Sequence, residues 1–226
     1  MRSKTLKLDR NYLITKYDCL KELTELSIQV NQRASLEKGI FDGLVNISSL
    51  TLTTSELTGQ IDSKVFNGLT SLCRLNLANN KLSSLNDDLF KQLLQLLHLN
   101  LSSNQFDVLP SNALSHLASL EHLDLFDNKL IQLNVLDGLK RLMSLNLSFN
   151  LLQAIEADTF KYLMHLTSLD LSNIKLFSIQ SDAFSSSLIK LDLSNNQLER
   201  IDSFTFQQLE NLKRLNLSCN RLSSID

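Results

Sequence analysis

The side chains that could do chemistry in this sequence are two histidines, an arginine, a carboxylate and one phenylalanine, set at regular distances. Arg74, His98 and His122 follow one another at intervals of 24 residues. Asp124 and Phe126 come after His122 at steps of two. Imidazole and carboxylate are metal ligands, two adjacent imidazoles resist being charged together and so respond to pH, and an exposed aromatic ringed by polar groups is typical of a binding hot spot. Solvated histidines and one tolerated surface phenylalanine are the simpler interpretations.

A second set of charged residues follows further along the chain. Asp170 and Asp192 are 22 residues apart, with Lys190 and Arg214 at related positions. This pattern favours either an acidic spot for a basic partner or a charge-compensated row on a wet surface, where exposed pairs contribute little to stability.

Composition and motifs exclude several classes of function. The formal charge is −2, with 22 basic and 24 acidic residues, so no global field favours nucleic acid or an anionic membrane. No apolar run reaches the roughly 18 residues of a transmembrane helix. Cys19, Cys73 and Cys219 are too dispersed for a disulfide framework or a zinc site. Because G-x-S-x-G, H-E-x-x-H and glycine-rich phosphate-loop motifs are missing, the sequence predicts a non-enzymatic chain with no cofactor and no metal.

A repeat of about 24 residues must position these side chains, and it is clearest in LMSLNLSFNLLQAIEADTFKYL, residues 142–163. The alternation of Leu145 and Leu147 is a strand signal of period two, after which the apolar spacing opens into a looser return limb. One such unit cannot cover its own apolar side chains and is stable only when stacked on copies of itself. We predict a single array over residues 1–226, with units beginning at Ser3, Leu23, Ile47, Leu72, Leu96, Leu120, Leu142, Leu166, Leu188 and Leu212.

Two columns of identical residues support this register. The ninth position of the unit is asparagine in eight of ten units, and stacked amides can satisfy backbone groups where the chain turns inward. The asparagines are Asn11, Asn31, Asn80, Asn104, Asn128, Asn150, Asn196 and Asn220, with Ser55 and Ile174 as the exceptions. Further along the unit, a second column holds Phe41, Phe66, Phe90, Phe160, Phe184 and Phe206, with Leu114 and Leu136 between them.

The strand part of each unit is expected to point its third, fifth and seventh side chains outward, in rows whose neighbours lie about 4.8 Å apart. The third row would then hold the arginine and both histidines, the fifth row the aspartates, and the seventh row Phe126 among serines. The predicted partner-binding residues are Arg74, His98, His122, Asp124, Phe126, Asp170 and Lys190.

With its 24-residue period and late phenylalanine, the pattern resembles the typical subfamily of the leucine-rich repeat family, which includes Toll-like receptor ectodomains and small leucine-rich proteoglycans. The resemblance implies an α/β solenoid, a horseshoe with a parallel sheet on its concave face and irregular or short helical segments on its convex face. It also implies a non-enzymatic recognition module that binds a protein or large ligand on the concave face, outside the cell or at its surface. The alternative is a cytosolic scaffold that organises intracellular proteins.

The extracellular members of this family normally carry cysteine-rich caps, which this sequence lacks, and the tenth unit stops at Asp226. These features favour a segment of a longer protein. The unpaired cysteines and the missing apolar leader after Met1 favour the cytosolic alternative instead. In a secreted protein, Asn46 is the candidate glycosylation site, because three further sequons arise from the repeat itself, at Asn100, Asn146 and Asn216.

Overall fold

The computed structural model describes residues 22–29, 36, 38–53, 57–59 and 61–223. The first predicted unit, which begins at Ser3, lies outside these residues, as does the end of the tenth unit at Asp226. Three predicted members of the ninth-position column also lie outside them, together with one cysteine: Asn11, Asn31, Ser55 and Cys19.

Short strands recur along the described chain. They are β1 Glu25–Gln29, β2 Ser49–Thr53, β3 Thr58–Gly59, β4 Arg74–Asn76, β5 Lys81–Leu82, β6 His98–Asn100, β7 His122–Asp124, β8 Ser144–Asn146, β9 Ala154–Ile155, β10 Ser168–Asp170, β11 Ser178–Ile179, β12 Lys190–Asp192 and β13 Arg214–Asn216. Nine of them form one sheet in the order β1-β2-β4-β6-β7-β8-β10-β12-β13, and β3 with β5 and β9 with β11 form two small sheets.

All pairs in the nine-stranded sheet are parallel, and each strand aligns with the same positions of the next coil. Leu99, Leu123 and Leu145 are therefore partners across three strands, and each is at most 2% exposed. Leu147, which follows β8, is fully buried. The predicted solenoid with one parallel sheet and an apolar interior is confirmed. We call the side of the sheet that carries the third and fifth positions its open face.

The predicted asparagine column forms a hydrogen-bond ladder through the interior. Asn128 Nδ2 donates to the carbonyl of Leu101 in the preceding coil at 3.1 Å and to that of Leu125 in its own coil at 3.2 Å. Its Oδ1 accepts the N–H of Phe106 at 3.2 Å. One amide thus ties two coils together and satisfies buried backbone groups. Asn80, Asn104, Asn150, Asn196 and Asn220 make equivalent bonds.

The phenylalanine column packs the opposite side of the interior. Phe41, Phe66 and Phe90 stack with ring centroids 6.2 and 6.3 Å apart. A second stack is formed by Phe160, Phe184 and Phe206, at 6.1 and 6.3 Å. Between the two stacks the column continues through buried leucines, Leu114 and Leu136.

The return limbs are turns, so the irregular form of the prediction is correct, and the described residues contain no α-helix. Typical bonds join Leu163 N–H to the Phe160 carbonyl at 3.1 Å and Leu166 N–H to the Leu163 carbonyl at 2.9 Å. A helix needs consecutive right-handed residues, and in two of the limbs the left-handed backbone of Asp158 (φ 62°) or Asp182 (φ 63°) interrupts such a run.

Candidate functional site

The third positions of three neighbouring coils bring Arg74, His98 and His122 together on the open face. Register pairing places Arg74 beside His98 and His98 beside His122, as the sequence predicts. The two imidazole rings stack with centroids 4.5 Å apart and planes 4° from parallel. Arg74 also pairs with Glu25 at 3.0 Å, but both side chains are more than half exposed, and such a pair contributes little to stability.

The surroundings of His98 lower the pKa of its imidazole below the ordinary value of 6.5. Partial burial is the largest cause, followed by the positive charges of His122 and Arg74, while the carboxylate of Glu121 opposes the shift. The neutral form of His98 is therefore favoured, and the imidazole becomes charged only at a lower pH than a free histidine.

A shallow depression of about 500 Å³ lies over these residues. Besides the arginine and the two histidines, its lining includes Ser49, Asn76, Asp124 and Ser144. The depression therefore combines cationic, imidazole, carboxyl, amide and hydroxyl groups on an open surface, which suits contact with polar side chains of another molecule.

The fifth positions have a structural task that the sequence interpretation missed. Asp124 Oδ1 accepts the N–H of Phe126 at 3.0 Å, and Asp170 Oδ1 accepts that of Ser172 at 2.9 Å. The same bond across two residues is made by Asn76, Asn100, Asn146, Asp192 and Asn216. Aspartate and asparagine recur there because this side-chain turn ends each strand. Burial, and secondarily Asp170, raise the pKa of the Asp124 carboxyl, against the lowering effect of its bond to Phe126.

The predicted outward row at the seventh position is wrong for most coils. Ala78 and Ser148 are 3% exposed and Ser194 is 5% exposed. The seven strands from β4 onward in the nine-stranded sheet end at the fifth position, so the alternation of side chains across a strand no longer applies two residues later. Ser148 and Ser194 instead turn their hydroxyls back to the fifth-position oxygens, at 2.7 and 2.6 Å.

Phe126 differs from these serines because its ring stays partly exposed. It meets the ring of Phe149 edge to face, with centroids 5.3 Å apart and planes at 64°. Phe149 is 50% exposed, and the sequence interpretation did not include it. We call Phe126 and Phe149 the aromatic pair. Edge-to-face rings favour each other, and together they offer a larger apolar surface than a single phenylalanine.

The eighth position, which Phe149 occupies, has a left-handed backbone in every described coil from β4 onward. The residues concerned are Asn79, Ser103, Asp127, Phe149, Asn173, Asn195 and Cys219, with φ between 50° and 58°. Asparagine and aspartate tolerate this conformation best, and a bulky residue in it is uncommon. A bulky residue in a column that calls for asparagine was the sequence signal for Phe149.

A second group of apolar side chains lies apart from the aromatic pair. Ile131 and Phe177 are 58% and 55% exposed and line a groove of about 500 Å³ with Leu151. Leu151, which lines this groove, is two residues from Phe149 in the sequence.

The structure separates the remaining predicted site residues from the histidines. Asp170 and Lys190 line a different depression, of about 510 Å³, together with Asp192 and Arg214. Within the part of the chain described, no ion pair joins Asp170 to Lys190. Asp170 is thus coupled to Asp124 by charge but does not share its depression.

The candidate glycosylation site and the other sequons differ in their surroundings. Asn46 is exposed and lies outside the strands. Asn100, Asn146 and Asn216 end strands β6, β8 and β13, and their amide oxygens accept bonds from the serines two residues on. Because Asn46 is exposed and lies outside the strands, it stays the preferred prediction for glycosylation.

The residues that the structure describes contain no group of three or more His, Cys, Asp and Glu side chains arranged to hold a metal ion. Nor do these residues form any helix with the length and apolar character needed to cross a membrane.

The fold and its open face define a class of protein, the stacked-coil solenoids whose parallel sheet presents rows of side chains. The chain belongs to the leucine-rich repeat family: the family described as "Leucine rich repeat" matches residues 21–82, 71–130, 140–187 and 186–226. Its fold is typically a non-enzymatic protein-interaction fold. A comparison with curated proteins returns no match.

Solved structures agree with this assignment. The chain is similar to Drosophila Toll in the complex of Toll with Spatzle, described as a molecular hub in development and innate immunity (TM-score 0.82, 26% identity, 89% of this chain and 27% of that chain). It is also similar to a leucine-rich repeat protein of Leptospira interrogans (TM-score 0.79, 33% identity, 90% of this chain and 51% of that chain). A third similar structure is the leucine-rich repeat domain of APL1 (TM-score 0.70, 25% identity, 89% of this chain and 51% of that chain). The chain spans about a quarter to a half of these structures.

Proposed function

We propose that this chain is a protein-recognition module that binds a protein or another large ligand over the open, concave face of its sheet and the aromatic pair. The observation that carries the proposal is the edge-to-face contact between Phe126, which is partly exposed, and Phe149, which is 50% exposed. Apolar rings beside polar side chains are the usual centre of a protein interface. The depression over Arg74, His98 and His122 provides polar surface on the neighbouring coils.

The solenoid is suited to this task because it holds its side chains in place before binding. Register pairing and the asparagine ladder fix the strands from coil to coil. A rigid surface loses little conformational freedom when a partner binds, so more of the contact energy becomes affinity. The complex of Toll with Spatzle, in which a similar repeat array takes part, supports a protein as the ligand class.

The test is site-specific photo-crosslinking in cells that express the full-length protein, with a photoreactive residue at Ser144 on the open face. We expect a discrete protein adduct at Ser144 and none when the photoreactive residue replaces His165, which is exposed away from the sheet. Replacing Phe126 with serine and Phe149 with asparagine should abolish the adduct. Phe204→Ser is the matched control, since Phe204 is 59% exposed on a return limb. Equal adducts at both positions would contradict the proposal.

We further propose that the module works outside the cell or at its surface. Two observations support this compartment: the exposed Asn46 sequon and the structural likeness to Toll, which was also solved in a glycosylated form. The alternative is a cytosolic scaffold, favoured by the free thiols of Cys73 and Cys219.

Glycosidase treatment separates the two compartments. On the full-length protein from its own cells we expect a loss of mass that the Asn46→Gln variant no longer shows. A native protein without glycan would favour the scaffold.

A further inference from the structure

We infer that Arg74, His98 and His122 form a site for a carboxylate side chain of the binding partner, and that acidification strengthens this contact. The inference rests on the proposed concave-face binding, whose partner chemistry and regulation it names. It follows from the placement of three nitrogen-bearing side chains in one row, on adjacent strands, along the floor of one depression.

The geometry favours a compact anion that reaches several of these groups at once. The imidazoles stack at 4.5 Å, so their ring nitrogens lie close enough for one carboxylate to accept from both rings. The Arg74 guanidinium follows on the next strand and is more than half exposed, so it can turn towards the same anion. When unbound, its charge is offset by Glu25.

The charged groups around the histidines explain why the site responds to pH. On one side of His98 lies Arg74 of β4, which pairs with Glu25 of β1. On the other side, Glu121 lies just before β7 and Asp124 lies at the end of β7. β8 contributes the uncharged Ser144 beside His122.

A proton on His98 is disfavoured in the free protein, because its imidazole is partly buried and stacks on that of His122, with Arg74 on the neighbouring strand. A bound carboxylate supplies the missing countercharge and favours proton uptake. By linkage, lower pH then strengthens binding.

The same neighbours select against larger polyanions. Glu25, Glu121 and Asp124 surround the row with negative charge, and the net charge of the chain is −2. A nucleic acid would bring several phosphates against these carboxylates, whereas a single glutamate or aspartate of a protein partner meets only the row itself. We therefore assign the site to an acidic segment of a protein.

The experiment follows the histidine Hε1 resonances of the 226-residue chain by NMR while an N-acetylated, C-amidated triglutamate peptide is added at pH 7.5 and 5.5. Glutamate stays ionised at both values, since its pKa is about 4.3. We expect His98 and His122 to shift on addition, with affinity at least about fivefold higher at pH 5.5. His116 and His165, which are exposed elsewhere, serve as internal controls. The uncharged triglutamine analogue should cause no shift.

Variants test whether peptide binding and its pH dependence come from Arg74 and His98. We expect Arg74→Gln to weaken binding at both pH values and His98→Gln to remove most of the pH dependence. Should a variant fail to fold, the wild-type titration decides the inference by itself. Equal affinity at both pH values, or equal shifts at all four histidines, would overturn it. If the peptide does not bind but the crosslink at Ser144 forms, the recognition module stands and the carboxylate site is wrong.

Discussion

Leu147 and Phe149 lie two residues apart in the same coil and illustrate two regions under different constraints. Leu147 is fully buried in a column of leucines, where each coil supplies the same side chain to the interior. Phe149 is 50% exposed, at a left-handed position where most other coils carry asparagine, aspartate or serine. The interior column keeps the residue that the fold requires. The turn holds a residue that the backbone disfavours, which points to a role outside folding.

The largest expected loss of stability comes from the interior residue, Leu147. Leu147→Ala removes a fully buried side chain between two coils and leaves a cavity, because a stacked array cannot collapse around it. We expect the free energy of unfolding to fall by about 2–5 kcal/mol, measured by urea denaturation. Leu94→Ala is the control, since Leu94 is 61% exposed and should cost far less. An unchanged denaturation midpoint for Leu147→Ala would contradict the assigned register.

The turn side of the comparison predicts opposite effects on stability and binding. Phe149→Asn places a residue that tolerates φ 58° where the phenylalanine is strained, so we expect a gain in stability of roughly 1 kcal/mol. The same change removes half of the aromatic pair, and we expect affinity for the native partner to fall about tenfold or more.

Thermal unfolding and a binding titration on one preparation measure both effects. Asn173→Phe is the reciprocal control: it places a phenylalanine at the same position of the next coil, where φ is 57°, and it should lose stability. If Phe149→Asn instead loses stability and keeps its affinity, the aromatic pair belongs to the fold.

Thr205, a polar residue in the interior, predicts a smaller gain in stability. Thr205 is 3% exposed, and its hydroxyl has no hydrogen-bond partner among the described residues. Thr205→Val keeps the shape and removes the unpaired polar group, so we expect stability to rise by about 1 kcal/mol.

Thr159, at the corresponding position of another coil, provides the control. Its hydroxyl donates to the Glu156 carbonyl at 2.8 Å, so Thr159→Val should not stabilise the protein. Differential scanning calorimetry of both variants tests the contrast. A Thr205→Val variant that unfolds at or below the wild-type temperature would mean that the hydroxyl finds a partner in solution.

The same contrast explains how far the sequence could predict the molecule. The leucine, asparagine and phenylalanine columns repeat at a fixed period because each coil meets the same interior, so the fold and the pairing of Arg74, His98 and His122 follow from the sequence. The seventh position could not be predicted by strand alternation, because most strands stop at the fifth position. The partnership of Phe126 with Phe149 involves the left-handed turn that follows each strand, which strand alternation does not describe.

The smallest expected effect concerns the open face, where His98 makes the unfolding temperature depend on pH. The pKa of His98 is lower in the folded protein than the ordinary 6.5, so below pH 6.5 the unfolded chain takes up a proton more readily than the folded one. Stability from this group is therefore fully present above pH 6.5 and is lost as pH falls towards the lower folded pKa. We expect the unfolding temperature to drop slightly more between pH 7.5 and 5.5 in the wild type than in His98→Gln.

Binding of a carboxylate to Arg74, His98 and His122 should change the unfolding temperature with pH in the opposite direction. A bound carboxylate stabilises the charged form of the histidines, so the triglutamate peptide should raise the unfolding temperature of the wild type more at pH 5.5 than at pH 7.5. His98→Gln should show little difference between the two pH values. A peptide effect of equal size at both would mean that the row does not change its charge on binding, and the open face would then differ from the interior in exposure but not in its response to acid.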